Sequence, residues 1–84
     1  MSNDKTIVRV YTKPDCVQCD MTKAELTKRG VPFEVDDITE PGNLEAARAL
    51  GFSSAPVVIV GEDGWAGFRP DKIAQLAARF EGAR

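Results

Sequence analysis

Apolar and polar positions along the chain alternate in short runs that predict seven elements. Lys5–Tyr11 carries Thr6, Ile7, Val8, Val10 and Tyr11, a β-branched and aromatic run that reads as a largely buried strand. Thr12-Lys13-Pro14-Asp15 is turn chemistry. Good helix formers follow over Met21–Arg29, with Glu25 one turn before Arg29 and Gly30 as the stop. Val31–Val35 predicts a short second strand with Pro32 near its start, and Asp36–Thr39 leads out of it. Pro41-Gly42-Asn43 opens a second helix, in which Leu44, Ala47 and Leu50 recur every three residues before Gly51. Pro56–Val60 is an apolar run fit for a buried strand, and Gly61–Gly64 predicts a four-residue hairpin turn into an antiparallel strand, Trp65–Phe68. Pro70 suits the first position of a last helix with Asp71 in its first turn, and Ile73, Leu76, Ala77 and Phe80 share one face.

The order is therefore βαβαββα. A right-handed crossover makes the first two strands parallel, and the hairpin adds an antiparallel pair. The expectation is an α/β architecture: a mixed four-stranded sheet flanked by three helices that cover both of its faces. No repeat or linker interrupts the 84 residues, so residues 1–84 read as a single domain.

Composition narrows what such a domain does. Hydrophobic residues make up 43%, enough for a core, and 29% charged residues exclude a disordered tail. Eleven basic and 13 acidic residues give a net charge of −2, so no basic footprint points to nucleic acid or an anionic membrane. Histidine is absent, which removes the usual general base and every Cys–His or Ser–His nucleophile pair. Met1–Asp4 is short and polar, with no charged n-region leading into an apolar stretch, so no secretory signal is expected, and the longest apolar run, Ala55–Val60, is far short of a bilayer span. A cytoplasmic protein is expected. In that compartment two cysteines are more often catalytic or metal-binding than structural.

Cys16-Val17-Gln18-Cys19 lies between a strand and the helix it feeds. At a helix N-terminus the backbone N–H groups are unpaired and the dipole presents about half a positive charge, which favours a thiolate. Cysteines three apart share a helix face and can close a disulfide. Cys16 falls at the exposed end, whereas Cys19 shares a stripe with Thr22 and Leu26 and should face inward. Cys16 is the expected nucleophile and Cys19 the resolving thiol of two-step exchange, needing no bound cofactor beyond the Cys16–Cys19 disulfide itself. Lys13 favours the Cys16 thiolate; Asp15 and Asp20 oppose it. Three other readings compete. A purely structural disulfide closing so short a loop contributes only about 2 kcal/mol. A zinc knuckle lacks two of its four ligands, and two inert thiols ill suit a strand-to-helix turn.

Three segments resemble one family. Tyr11-Thr12-Lys13-Pro14-Asp15-Cys16-Val17-Gln18-Cys19 is similar to the active-site stretch of glutaredoxin-like redoxins, and Ala55-Pro56-Val57-Val58 resembles the strand carrying their cis-proline. Trp65-Ala66-Gly67-Phe68-Arg69-Pro70-Asp71 is similar to the W-S-G-F-R-P-D signature of NrdH-redoxins, with Ala66 in place of serine. The resemblance implies a thioredoxin-like fold with sheet order 2-1-3-4. It also implies an electron carrier that takes electrons from NADPH through thioredoxin reductase and passes them to the large subunit of class Ib ribonucleotide reductase. Lys13, Val17, Gln18, Ala55, Pro56, Trp65, Phe68, Arg69 and Asp71 are the partner-binding candidates it adds. A cis Ala55–Pro56 peptide would set Pro56 against the disulfide and leave the preceding backbone free for a substrate strand. As strand residues, Trp65 and Phe68 should point to opposite faces.

The chain also departs from its wider relatives. Thioredoxins carry a buried carboxylate six residues before the first active-site cysteine, where this chain has Val10. Glutathione-binding glutaredoxins carry a Gly-Gly-x-x-Asp-like turn, where this chain has Phe68-Arg69-Pro70-Asp71. A glutathione-dependent glutaredoxin is the second expectation for the function, and a two-chain zinc or iron–sulfur carrier the third.

Overall fold

The computed structural model describes residues 7–61 and 63–82, with side chains through residue 79. The elements are β1 (Val8–Thr12), α1 (Val17–Lys28), β2 (Glu34–Asp37), α2 (Pro41–Ala49), β3 (Val57–Val60), β4 (Asp63–Ala66) and α3 (Pro70–Gly82). The sheet runs β2-β1-β3-β4, as expected. β1 is parallel to β2 and antiparallel to β3, and β4 returns antiparallel to β3.

Alternation along the strands divides the core into two layers. On one face Val8, Val10, Val58, Val60 and Trp65 pack with Leu26 of α1 and with Ile73, Leu76 and Ala77 of α3. On the other, Tyr11 and Val57 pack with Ile38 and with Ala47 of α2. Complete burial of Leu26 and Ile73 contributes about 1.5–3 kcal/mol each. Phe80, expected on the same face as Ile73, lies outside the described side chains.

Glycine ends both α1 and α2 by the same device. Gly30 (φ 74°) and Gly51 (φ 91°) adopt the left-handed conformation past each helix. Behind them the Val31 N–H donates to the Leu26 carbonyl and the Phe52 N–H to the Ala47 carbonyl, both at 3.0 Å. These are Schellman closures, and each delivers the following apolar side chain, Val31 or Phe52, onto the core.

Boundaries moved where tertiary pairing overrode composition. β1 begins at Val8; Lys5 and Thr6 lie outside the described residues. α1 begins at Val17, four residues before the expected start, because Cys16 itself caps it. The expected Glu25–Arg29 pair forms at 2.6 Å. The second strand is not Val31–Val35 but Glu34–Asp37. Val31 is committed to the helix closure and Pro32 has no N–H to give, so pairing with β1 starts only at Glu34. Charged residues then suit an edge strand because Arg9 of β1 faces them, donating to Asp36 at 2.6 Å and pairing with Glu34 at 3.2 Å. The hairpin is also tighter than expected. Val60 already pairs with Asp63, so the last strand is Asp63–Ala66 instead of Trp65–Phe68.

Candidate active site

The active-site turn is built by its own sequence. Asp15 takes a left-handed conformation (φ 56°), which a short polar side chain tolerates, and turns the chain out of β1. Cys16 follows as the N-cap of α1, in extended geometry. Its Sγ occupies the place of a capping oxygen and accepts the Cys19 N–H at 3.1 Å, while its carbonyl accepts the Asp20 N–H at 3.2 Å. A sulfur in this position faces the positive end of the helix dipole and one aimed N–H, both of which favour the thiolate over the thiol once the bond is reduced.

Cys16 and Cys19 form a disulfide with Cα atoms 5.2 Å apart. The two sulfurs differ in setting: Cys16 is half-buried, whereas Cys19 is 1% exposed and lies on the buried stripe with Thr22 and Leu26. Val17, between them, is 71% exposed. Met21, one helical turn further on the same face, is 43% exposed. Met21 was not among the expected site residues, although its i, i+4 relation to Val17 was a usable signal.

Two hydrogen bonds bring the three family-like segments together. The Gln18 Oε1 accepts the Phe68 N–H at 3.2 Å, and the Gly67 N–H donates to the Pro56 carbonyl at 2.8 Å. Gly67 sits at φ 84°, and a Cβ there would meet the Gln18 Oε1 at 3.5 Å, so conformation more than space selects glycine. The Ala55–Pro56 peptide is cis; Pro56 is buried and Ala55 half-buried.

The remaining candidates divide clearly. Lys13 is exposed on the turn before Cys16. Arg69 donates to Asp71 through Nε at 3.2 Å and Nη2 at 3.0 Å, so the two charges satisfy one another at the start of α3. This hydrogen bond holds the Asp71 carboxyl below its usual range. Trp65 is 8% exposed inside the core, and its Nε1 has no hydrogen-bond partner among the described residues. Trp65 and Phe68 do not diverge as expected: both pack on the same core layer, because β4 ends at Ala66 and the left-handed Gly67 resets the direction of the chain.

A buried thiol behind a reachable one, at the N-terminus of the first helix of a 2-1-3-4 sheet, defines a thiol–disulfide oxidoreductase of thioredoxin-like fold. The glutaredoxin family profile matches residues 8–65. The glutaredoxin-like protein NrdH of Escherichia coli strain K12 is 47% identical over 70 residues, covering 82% of this chain and 86% of that protein. The chain thus belongs to the glutaredoxin family, and within it to the NrdH glutaredoxin-like proteins. The NrdH protein of Lactococcus lactis subsp. lactis is 38% identical over 72 residues, covering 84% of this chain and all of that one. The solved structure of E. coli NrdH-redoxin superimposes with a TM-score of 0.76, over 82% of this chain and 92% of that chain.

Proposed function

We propose that the protein carries electron pairs from NADPH, by way of thioredoxin reductase, to the oxidised large subunit of class Ib ribonucleotide reductase in the cytoplasm. The observation that carries this reading is the asymmetry of the cysteine pair, a half-exposed Cys16 capping α1 and a sheltered Cys19 behind it, in a chain 47% identical to an NrdH protein. The E. coli relative is described by its thioredoxin-like activity profile, which supports a reductase as donor.

In the proposed cycle the Cys16 thiolate attacks one sulfur of the partner's disulfide. That bond breaks, and the second partner sulfur leaves as a thiolate and takes a proton from solvent. Cys19 then loses its proton and attacks the Cys16 Sγ, closing the Cys16–Cys19 disulfide and releasing the first partner sulfur, which is protonated in turn. The partner gains two electrons and two protons. Val17 and Met21 offer an apolar surface beside the reacting sulfur, and the Ala55–Pro56 edge adjoins the Gly67 turn. Arg69 and Asp71 are occupied with each other and no Gly-Gly turn precedes α3, which argues against strong binding of glutathione.

The test mixes the protein with NADPH, thioredoxin reductase and a class Ib reductase. Reductase-dependent turnover that disappears in Cys16→Ser is expected, with little turnover when glutathione and its reductase replace the donor. Failure of thioredoxin reductase to reduce the Cys16–Cys19 disulfide overturns the donor assignment. A Cys16→Ser variant of full activity overturns the mechanism.

A further inference from the structure

Thr22 is a polar residue that the exchange chemistry above does not use. It is fully buried, and its Oγ1 has no hydrogen-bond partner among the described residues. An orphaned buried hydroxyl destabilises the state in which it stands alone. Thr22 lies one turn after Cys19 on the buried stripe of α1, a spacing that puts the two Cβ atoms about 5–6 Å apart.

In the disulfide, the Cys19 sulfur is bonded to Cys16 and makes no hydrogen bond with this hydroxyl. Reduction breaks that tie, frees the Cys19 side chain to rotate, and leaves its sulfur in a site that is 1% exposed. Among the described residues one other buried side-chain polar atom lacks a partner, the Trp65 Nε1, but it belongs to β4, whereas Thr22 stands on α1 itself one turn from Cys19. Thr22 is the one buried polar or charged residue among those described, and the position of the thioredoxins' carboxylate is the buried Val10. The buried side chains that share a core layer with Leu26 of the stripe are Val31, the valines of β1 and β3, Trp65 of β4, and Ile73, Leu76 and Ala77 of α3. The charged groups of the active-site turn and first turn, Lys13, Asp15 and Asp20, are exposed.

We propose that the Thr22 hydroxyl receives the Cys19 sulfur when the disulfide opens, accepting from the thiol and donating to the thiolate. The inference rests on the exchange reading above and deepens it by naming a positioning residue for the resolving thiol. A hydroxyl rotor can serve both protonation states of the sulfur. It is unpaired in the disulfide and paired in the dithiol, so it biases the couple toward the reduced form. It also helps Cys19 ionise inside the mixed disulfide. The proton Cys19 gives up passes to solvent, and the released partner thiolate takes one back, so Thr22 transfers none.

The experiment compares the unsubstituted protein with Thr22→Val, which keeps the shape, and Thr22→Ser, which keeps the hydroxyl. Equilibration in a glutathione redox buffer should show Thr22→Val shifted about tenfold toward the disulfide, a potential ~30 mV lower, with Thr22→Ser close to the parent. In a Cys16→Ser background, Thr22→Val should lower the ionisation constant of Cys19 by about tenfold. A Thr22→Val equilibrium equal to the parent's overturns the proposal. A shift in Thr22→Ser as large as in Thr22→Val overturns it too, since the methyl would then be responsible. Should Thr22→Val fail to fold, the hydroxyl proton of the unsubstituted protein decides. Protection from solvent exchange in the dithiol form alone supports the proposal, and equal behaviour in both redox states refutes it. The thioredoxin reductase assay on the same parent sample reads the donor assignment independently, so either idea can fail without the other.

Discussion

Gln18 reaches 50 positions along the sequence to accept the Phe68 N–H at 3.2 Å. Through it the second variable residue of the cysteine turn is latched to the segment before α3, and Gly67, next to Phe68, is bonded in turn to Pro56. Removing the acceptor with Gln18→Ala should cost about 1 kcal/mol of local stability. Hydrogen exchange at the Phe68 amide should accelerate several-fold while the core amides of β1 and β3 are unchanged. Turnover with the ribonucleotide reductase should fall more than turnover with a small disulfide. Unchanged exchange at Phe68 would show that the latch holds nothing.

Burial separates the two thiols. With the reduced protein under non-denaturing conditions, iodoacetamide should label Cys16 first and leave Cys19 unmodified until the protein is unfolded. Peptide mass spectrometry reads the order directly. In Cys19→Ser the mixed disulfide with the partner should persist, because the attack that releases it has lost its sulfur.

Gly64 and Gly42 should respond oppositely to alanine. A Cβ on Gly64 would lie 2.8 Å from the Val58 carbonyl oxygen and 2.9 Å from the Ile59 Cδ1, in the middle of the β3–β4 ladder. Gly64→Ala should destabilise by about 1–3 kcal/mol. Gly42, in the first turn of α2, has no atom within 4 Å of such a Cβ, and Gly42→Ala should stabilise by about 0.4–1 kcal/mol. Urea midpoints of the two variants test both signs.

Two exposed carboxylates contribute to the acid response of folding. The Arg69 hydrogen bond holds Asp71 below the ordinary value of 3.8, and the Thr39 hydroxyl and N–H do the same for Asp37. A depressed folded-state value means that the stabilisation is complete above 3.8 and is lost as pH falls through the lower folded values. Urea midpoints should therefore decline as pH is lowered below about 4, and Asp71→Asn should flatten part of that decline. Both groups are on the surface, so added salt should shrink the Arg69–Asp71 share.

A carrier charged by thioredoxin reductase needs a potential near that of thioredoxin. Equilibration with a glutathione buffer should place the Cys16–Cys19 couple at about −270 to −230 mV. A value near about −120 mV, that of a strong periplasmic oxidant, would contradict a reductant's role.

Much of the molecule was legible residue by residue. Gly30 and Gly51 announced the ends of α1 and α2 because a left-handed residue after a helix is a local requirement. The stripe Cys19, Thr22, Leu26 foretold which thiol is sheltered, since helical periodicity alone assigns the face. The second strand misled because three of its four side chains are acidic and two of them are met by Arg9 of β1, which no local pattern in Glu34–Asp37 reveals. Strand alternation misled for Trp65 and Phe68, where one glycine with positive φ ended the period.

Taken alone, the order of residues determined the element sequence, the placement of C-V-Q-C at a helix start and the closure of two helices. All of these follow from backbone torsions and from periodicities no longer than a turn or a strand. The folded chain alone decided that Gln18 meets Phe68, that Trp65 is enclosed in the core and that the Thr22 hydroxyl stands unpaired beneath Cys19. Such relations depend on how β1, β3, α1 and α3 are packed around one apolar layer. Close packing sets distances between residues that chain connectivity leaves free.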